Sequence, residues 1–144
     1  MTSLRERIAE AKGGNFEGLP TLLPYARFLG LELSVVDDDL VGKMPFKAQL
    51  IGNPMLPALH GGTIGAFLES TAVFKLLWST ETESLPKIIN ITIEYLRSGK
   101  PADVYAQAFI TKHGRRVVNV RTEAWQTERD RPIAIAHSHF LLSE

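Results

Sequence analysis

The sequence predicts an α+β fold in which a curved antiparallel sheet wraps one long central helix. Three observations carry that prediction. Residues 61–78 are apolar almost all round and begin at a Gly-Gly pair, the pattern of a helix enclosed by the rest of the protein. Residues 87–97 alternate, with Ile89, Ile91, Ile93 and Tyr95 on one face and Asn90, Thr92 and Glu94 on the other, as a half-buried strand does. Extended runs at 102–111, 116–127 and 132–142, joined by turns at His113-Gly114 and around Asp130, make the second half an antiparallel meander. At 144 residues the chain fits one domain, 1–144, with residues 1–30 as an N-terminal helical extension.

The extension opens with Ser3-Leu4-Arg5-Glu6, which has capping-box spacing, and Leu4, Ile8 and Ala11 then recur at helical intervals until Gly13-Gly14. A second helix is predicted over Leu19–Leu29, with Pro20 near its start, Gly30 just past its end, and Leu22, Ala26 and Leu29 on one side. Leu31–Val36 and Leu40–Phe46 read as a hairpin about Asp37-Asp38-Asp39, a turn too acidic to bury. That acidic run lacks the further ligands and the placed glycine of a calcium loop. Residues 47–58 contain Gly52, Pro54 and Pro57 and are expected to form a loop leading into the central helix.

Sixteen Lys+Arg balance sixteen Asp+Glu, so no bulk field draws in a polyanion, and nucleic acid is not an expected partner. The absence of cysteine removes disulfides, thiolate metal sites and a cysteine nucleophile. The N-terminus lacks the apolar core of a signal peptide, and the most apolar window, Ile64–Trp78, is interrupted by Glu69 and Lys75. A cytoplasmic protein with no membrane partner is the expectation.

Chemistry concentrates on the central helix. Gly61 and Gly62 expose its first N–H groups without a shielding Cβ, and such a tip stabilises a developing oxyanion. The competing reading is that these glycines only allow tight packing against a strand. Glu69 stands in a mostly apolar helix, where an unpaired carboxylate costs several kcal/mol (about 2–7 for lesser polar groups). Its helical face carries Gly62, Gly65, Ala66, Ala72 and Val73, while Phe67, Thr71, Phe74 and Trp78 lie opposite, leaving room beside the acid. A partly desolvated glutamate can act as base for an attacking water or attack an activated acyl carbon itself. A glutamate paired with arginine, or facing solvent at an interface, is the alternative. Gly61 and Glu69 are eight residues apart on one helix. That separation is about 12 Å of rise, too far for both to act on one carbonyl. Two antiparallel copies of the helix across a twofold axis would pair Gly61 of one with Glu69 of the other.

Asn53, His60-Gly61-Gly62, a carboxylate nine residues after the histidine, and Tyr95-Leu96-Arg97 together resemble the hotdog-fold acyl-CoA thioesterases, the PaaI-like and 4-hydroxybenzoyl-CoA thioesterase-like family, over about residues 45–142. The resemblance implies a hotdog fold, hydrolysis of acyl-CoA, and a homodimer often paired into a homotetramer. It also implies catalytic roles for Glu69, Gly61, Asn53 and, more loosely, His60. Many relatives carry Asp where this chain has Glu69, and a Ser or Thr where it has Ile88; Asn90, Thr71 or Ser70 are the candidates to hold the water instead. Asn53 also reads as a loop residue holding its own turn, and His60 as a helix cap. For the CoA phosphates the candidates are Gly62, Arg97, Lys112, Arg115 and Arg116, against a plain solvated hairpin end for the four cations. His137 and His139 share a strand face, but no carboxylate in register completes a metal site. No metal or redox cofactor is expected. The rival functions are a hotdog hydratase or dehydratase, which lacks its expected histidine before the Gly52–Pro57 loop, and a non-catalytic acyl-CoA binding protein.

Overall fold

The structure is a computed structural model that describes residues 3–80, 82 and 84–142. Its elements run α1 (Leu4–Lys12), α2 (Gly18–Leu22), α3 (Pro24–Leu29), β1 (Glu32–Val36), β2 (Asp39–Met44), β3 (Ile51–Asn53), β4 (Ala58–Leu59), α4 (Gly61–Ser79), β5 (Lys87–Tyr95), β6 (Val104–His113), β7 (Val117–Trp125) and β8 (Ala134–Leu141). Six strands form one antiparallel sheet in the order β1-β2-β6-β7-β8-β5, and α4 lies against its inner face. This is the hotdog architecture.

The predicted capping box exists: the Glu6 N–H donates to the Ser3 hydroxyl and the Ser3 N–H to the Glu6 carboxylate. The expected helix over Leu19–Leu29 is instead two short helices. Leu23 is extended between them because Pro24 disfavours helical backbone in the residue before it, and Pro24 then opens α3 at a position that suits proline. Gly30 ends α3 in the left-handed conformation. The acidic turn is also more specific than expected. Asp37 and Asp38 both have positive φ, as a two-residue turn matched to strand twist requires. Asp39 belongs to β2 and is half-buried, its carboxylate 2.6 Å from the Lys75 ammonium of α4 and 3.0 Å from the Gln107 amide. Residues 47–58 are not one irregular loop, since a 3-10 turn at Ala48–Leu50 leads into the small β3–β4 hairpin.

The core between α4 and the sheet is built on Phe67, Leu68, Phe74, Leu76 and Leu77, all fully buried, with Val104, Val118 and Phe140 from the strands. Ile8, Ala11, Leu19 and Leu29 of the N-terminal helices cluster with Phe67, Leu68, Phe74, Leu77 and Val104, whereas Leu76, Val118 and Phe140 form a second, smaller cluster. Small residues on β2, β6, β7 and β8, namely Gly42, Ala106, Ala124 and Ala136, let the helix approach closely. A Cβ on Gly42 would stand 2.9 Å from the Thr71 hydroxyl and 3.3 Å from the Phe67 ring.

Strand β5 departs from strict alternation. A register shift between Ile88 and Asn90 sets Ile88 opposite Phe140, whereas Ile91, Ile93 and Tyr95 stand opposite Ser138, Ala136 and Ala134. Ile88 therefore takes the helix-facing place that alternation assigns to Ile89, which bulges outward and is 55% exposed. β5 is also a sheet edge with a free side. No helix among the described residues is long and apolar enough to cross a membrane.

Candidate active site

The first turn of α4 is held by its own neighbours. Leu50 accepts the His60 N–H at 2.8 Å, and β3 pairs with β4 so that Asn53 faces Ala58, two residues before His60. Gly52 makes this approach possible, because a Cβ there would fall 2.6 Å from the His60 Cα. The hairpin thus brings Asn53, His60, Gly61 and Gly62 to one place. His60 is the N-cap, and its Nδ1 accepts the Gly62 N–H at 2.9 Å. Gly62 therefore has its donor engaged, whereas the Gly61 N–H has no acceptor among the described residues. Asn53 holds its own turn, its Oδ1 accepting the Met55 N–H at 3.0 Å, so only its side-chain NH₂ is left to donate.

The packing reading of the glycines also holds. A Cβ at Gly61 would meet the Tyr95 ring at 3.3 Å, and one at Gly65 would meet Ile93 Cδ1 at 2.7 Å. Tyr95 contributes a further contact, its hydroxyl donating to the Gly61 C=O at 2.6 Å. That bond fixes the first peptide of α4 from β5. The sequence carries no signal for it, since Tyr95 meets Gly61 only through tertiary contact.

Glu69 lies halfway along α4, half-buried, with no hydrogen bond or ion pair among the described residues. Burial pushes its carboxyl above the ordinary glutamate range. α4 is not enclosed all round in a single chain. Gly62 is exposed, and Thr63, Ala66, Glu69, Ser70 and Val73 are half-buried, leaving an open stripe of mostly small side chains along the helix. Gly65 and Ala72 are buried and lie outside that opening. Phe67, Thr71 and Phe74 face the sheet as expected.

Other candidates do not gather here. Asn90 lies on the outer face with its Oδ1 2.5 Å from His139 Nδ1, and Thr71 is buried and donates to the Phe67 C=O at 2.8 Å, so neither can hold a water beside Glu69. Ser70 is the remaining hydroxyl neighbour. Arg97 donates to the Pro132 C=O at the Tyr95 end of the sheet. Lys112, Arg115 and Arg116 line a shallow depression at the β6–β7 turn, the opposite end. The ten residues of β6 put about 30 Å between the two ends, so one chain cannot bring all four cations to one phosphate. His137 is exposed beside His139, and no metal-binding cluster occurs among the described residues. A depression of about 560 Å³ between the α1–α2 linker and β1 touches neither Glu69 nor the tip of α4.

The sheet wrapped around α4 is a hotdog fold, and the family to which it belongs makes the chain a thioester hydrolase. Residues 56–133 match the Thioesterase superfamily. The chain belongs to that family. A solved structure from Chromobacterium violaceum is 37% identical, covers 96% of this chain and 98% of its own, and superposes with a TM-score of 0.79. The medium/long-chain acyl-CoA thioesterase YigI of Escherichia coli is 28% identical over 122 residues, 74% of this chain and 78% of YigI. A phenylacetic acid degradation-related protein from Ralstonia eutropha shares the fold at 21% identity with a TM-score of 0.77, covering 94% of this chain and 99% of its own.

Proposed function

We propose that this protein hydrolyses acyl-CoA, with the Gly61 N–H polarising the thioester carbonyl and Glu69 activating water or forming a transient acyl intermediate. The observation that carries the reading is Glu69 itself, a desolvated acid without a partner on the open stripe of α4. Such an acid costs stability, which is expected where a function requires it, and its raised pKa moves it toward the range in which a carboxylate is an effective base. A thioester needs little more, because its carbonyl carbon is electrophilic and thiolate leaves readily. Asn53 NH₂ is a second donor to the carbonyl oxygen, and His60 holds the tip in shape by capping Gly62.

The site is composite between two copies. Gly61 and Glu69 of one α4 stand about 12 Å apart by helical rise. What supports a twofold dimer is the free edge of β5, with Ile88, Ile89 and Tyr95 exposed along it, and the uncovered stripe of α4 beside it. Antiparallel pairing across β5 sets the Arg97 end of one copy alongside the Lys87 end of the other. That end carries Lys112, Arg115 and Arg116, two to three strand spacings (about 10–14 Å) from the edge, so the cations divided within one chain converge on one CoA across the interface.

The test is a panel of acyl-CoAs with free-thiol detection, run on wild type and Glu69→Gln, alongside sizing in solution for the dimer and for the tetramer. Hydrolysis lost in Glu69→Gln with acyl-CoA affinity retained is the expected result. Enoyl-CoA hydration without CoA release would favour the hydratase, and binding without turnover in the wild type would favour the binding protein.

A further inference from the structure

One apolar cleft adjoins the tip of α4. It lies between α3 and the 3-10 turn and has a volume of about 210 Å³; Tyr25, Phe28, Leu29 and Leu50 form its apolar walls, with Lys47, Gln49 and Thr63 at its polar margin. Two of these residues belong to the helix start. Thr63 is the third residue of α4, and the Leu50 C=O holds the His60 N–H. The cleft therefore opens within one turn of the free Gly61 N–H. Its far wall comes from the N-terminal helices, outside the segment that matches the family.

That wall is aromatic and fixed, yet uncovered. Tyr25 and Phe28 are 56% and 64% exposed, with ring centroids 5.7 Å apart and tilted by 32°. Lys47 pins Phe28 by donating to its C=O, with its ammonium 5.2 Å above the ring centroid. Two neighbouring exposed aromatic rings on a short helix are unfavourable for an isolated surface and suit one that an apolar ligand covers. Size limits the ligand. An apolar cavity of about 150 Å³ takes benzene, so this cleft takes one aromatic ring or an alkyl chain of about six to eight carbons.

We propose that this cleft holds the distal end of the acyl group, and that Tyr25 and Phe28 set the upper limit on its length. The proposal rests on the hydrolase reading above and adds a substrate class to it: CoA esters of short-to-medium apolar acids, whose tail enters between α3 and Thr63 when the carbonyl sits at Gly61.

The experiment measures kcat/KM for acetyl-, hexanoyl-, benzoyl-, dodecanoyl- and hexadecanoyl-CoA on wild type, Tyr25→Ala/Phe28→Ala and Thr63→Phe, with circular dichroism confirming the fold of each. Wild type is expected to favour hexanoyl- or benzoyl-CoA, and the comparison of those two separates an alkyl from an aryl tail. Removing the rings should raise the dodecanoyl-to-hexanoyl ratio by about tenfold or more, and filling the cleft at Thr63 should lower the hexanoyl- or benzoyl-to-acetyl ratio similarly. Chain-length ratios unchanged in both variants would overturn the cleft assignment and leave hydrolysis standing. A wild type that releases CoA from no member of the series would overturn both.

Discussion

Replacing Gly61 by proline deletes one N–H group and leaves the helix start otherwise intact. Proline is favoured at the first helical position, where its missing donor has no intrahelical partner anyway. The residue before a proline must be extended, and His60 already is, at φ −65° and ψ 128°. The added Cβ meets the Tyr95 ring at 3.3 Å, a contact the half-exposed ring relieves by moving a few tenths of an ångström. Stability should therefore hold or rise slightly, by up to about 1 kcal/mol, through the lost freedom of the unfolded glycine. Activity should not hold. Removing one oxyanion donor costs about 10²–10³ in kcat. The composite site then makes a quantitative prediction for mixtures. When Gly61→Pro and Glu69→Gln subunits are co-expressed equally, about half the dimers are mixed, and each mixed dimer has one doubly defective and one intact site. Activity should return to about a quarter of wild type per site, assayed by free thiol release from acyl-CoA. Gly61→Pro at wild-type rates would show that this N–H is not the donor. A mixture no better than the average of its parents would show that one chain supplies both groups, against the separation along α4.

Glu69, Asp39 and Gly42 carry the remaining predictions. Glu69→Gln should lower kcat by about 10²–10⁴, and the acid limb of wild-type kcat/KM should lie above the ordinary glutamate range. Because burial raises its folded pKa, Glu69 favours folding most when protonated, and that advantage declines as pH rises through the folded value; Glu69→Gln should thus melt above wild type near neutral pH, with the gap closing in acid. For Asp39, burial pushes the carboxyl up, but hydrogen bonds from Lys75, Gln107 and the Leu40 N–H, with the Lys75 charge, outweigh it and hold the pKa low. Its stabilisation is present above the unfolded carboxylate pKa and lost as pH falls through the folded one, so Asp39→Asn should cost about 1–2 kcal/mol in denaturant melts at neutral pH and progressively less in acid. Gly42→Ala drives a methyl toward Thr71 and Phe67 and should cost about 1–3 kcal/mol in the same melts, a smaller loss marking a helix that can slide on the sheet.

Much of this fold was legible because its signals are local. The capping box at Ser3 and Glu6, the apolar run of α4 and the alternation of β5–β8 depend on residues within a turn or a strand of one another. Local rules also contained the break at Pro24, which the apolar spacing of Leu19–Leu29 outweighed in reading the sequence. Others needed partners distant in the chain. Asp39 looked like a turn residue because its ion pair with Lys75 spans 36 positions. Asn90 looked available to hold a water until the bulge at Ile89 and its contact with His139 put it on the outer face. Arg97 and the hairpin cations looked like one set because sequence does not measure the length of a sheet.

By itself the sequence determined that a carboxylate would sit inside an apolar helix behind two glycines, since hydrophobic periodicity and backbone freedom are properties of neighbouring residues. Tertiary structure decided which of those groups stay free. Only the packed chain shows His60 occupying the Gly62 N–H, Tyr95 gripping the Gly61 carbonyl, and α4 left uncovered along Glu69. Whether a polar atom is satisfied depends on what the fold brings within about 3 Å of it, and that is set by contacts between segments far apart in the chain.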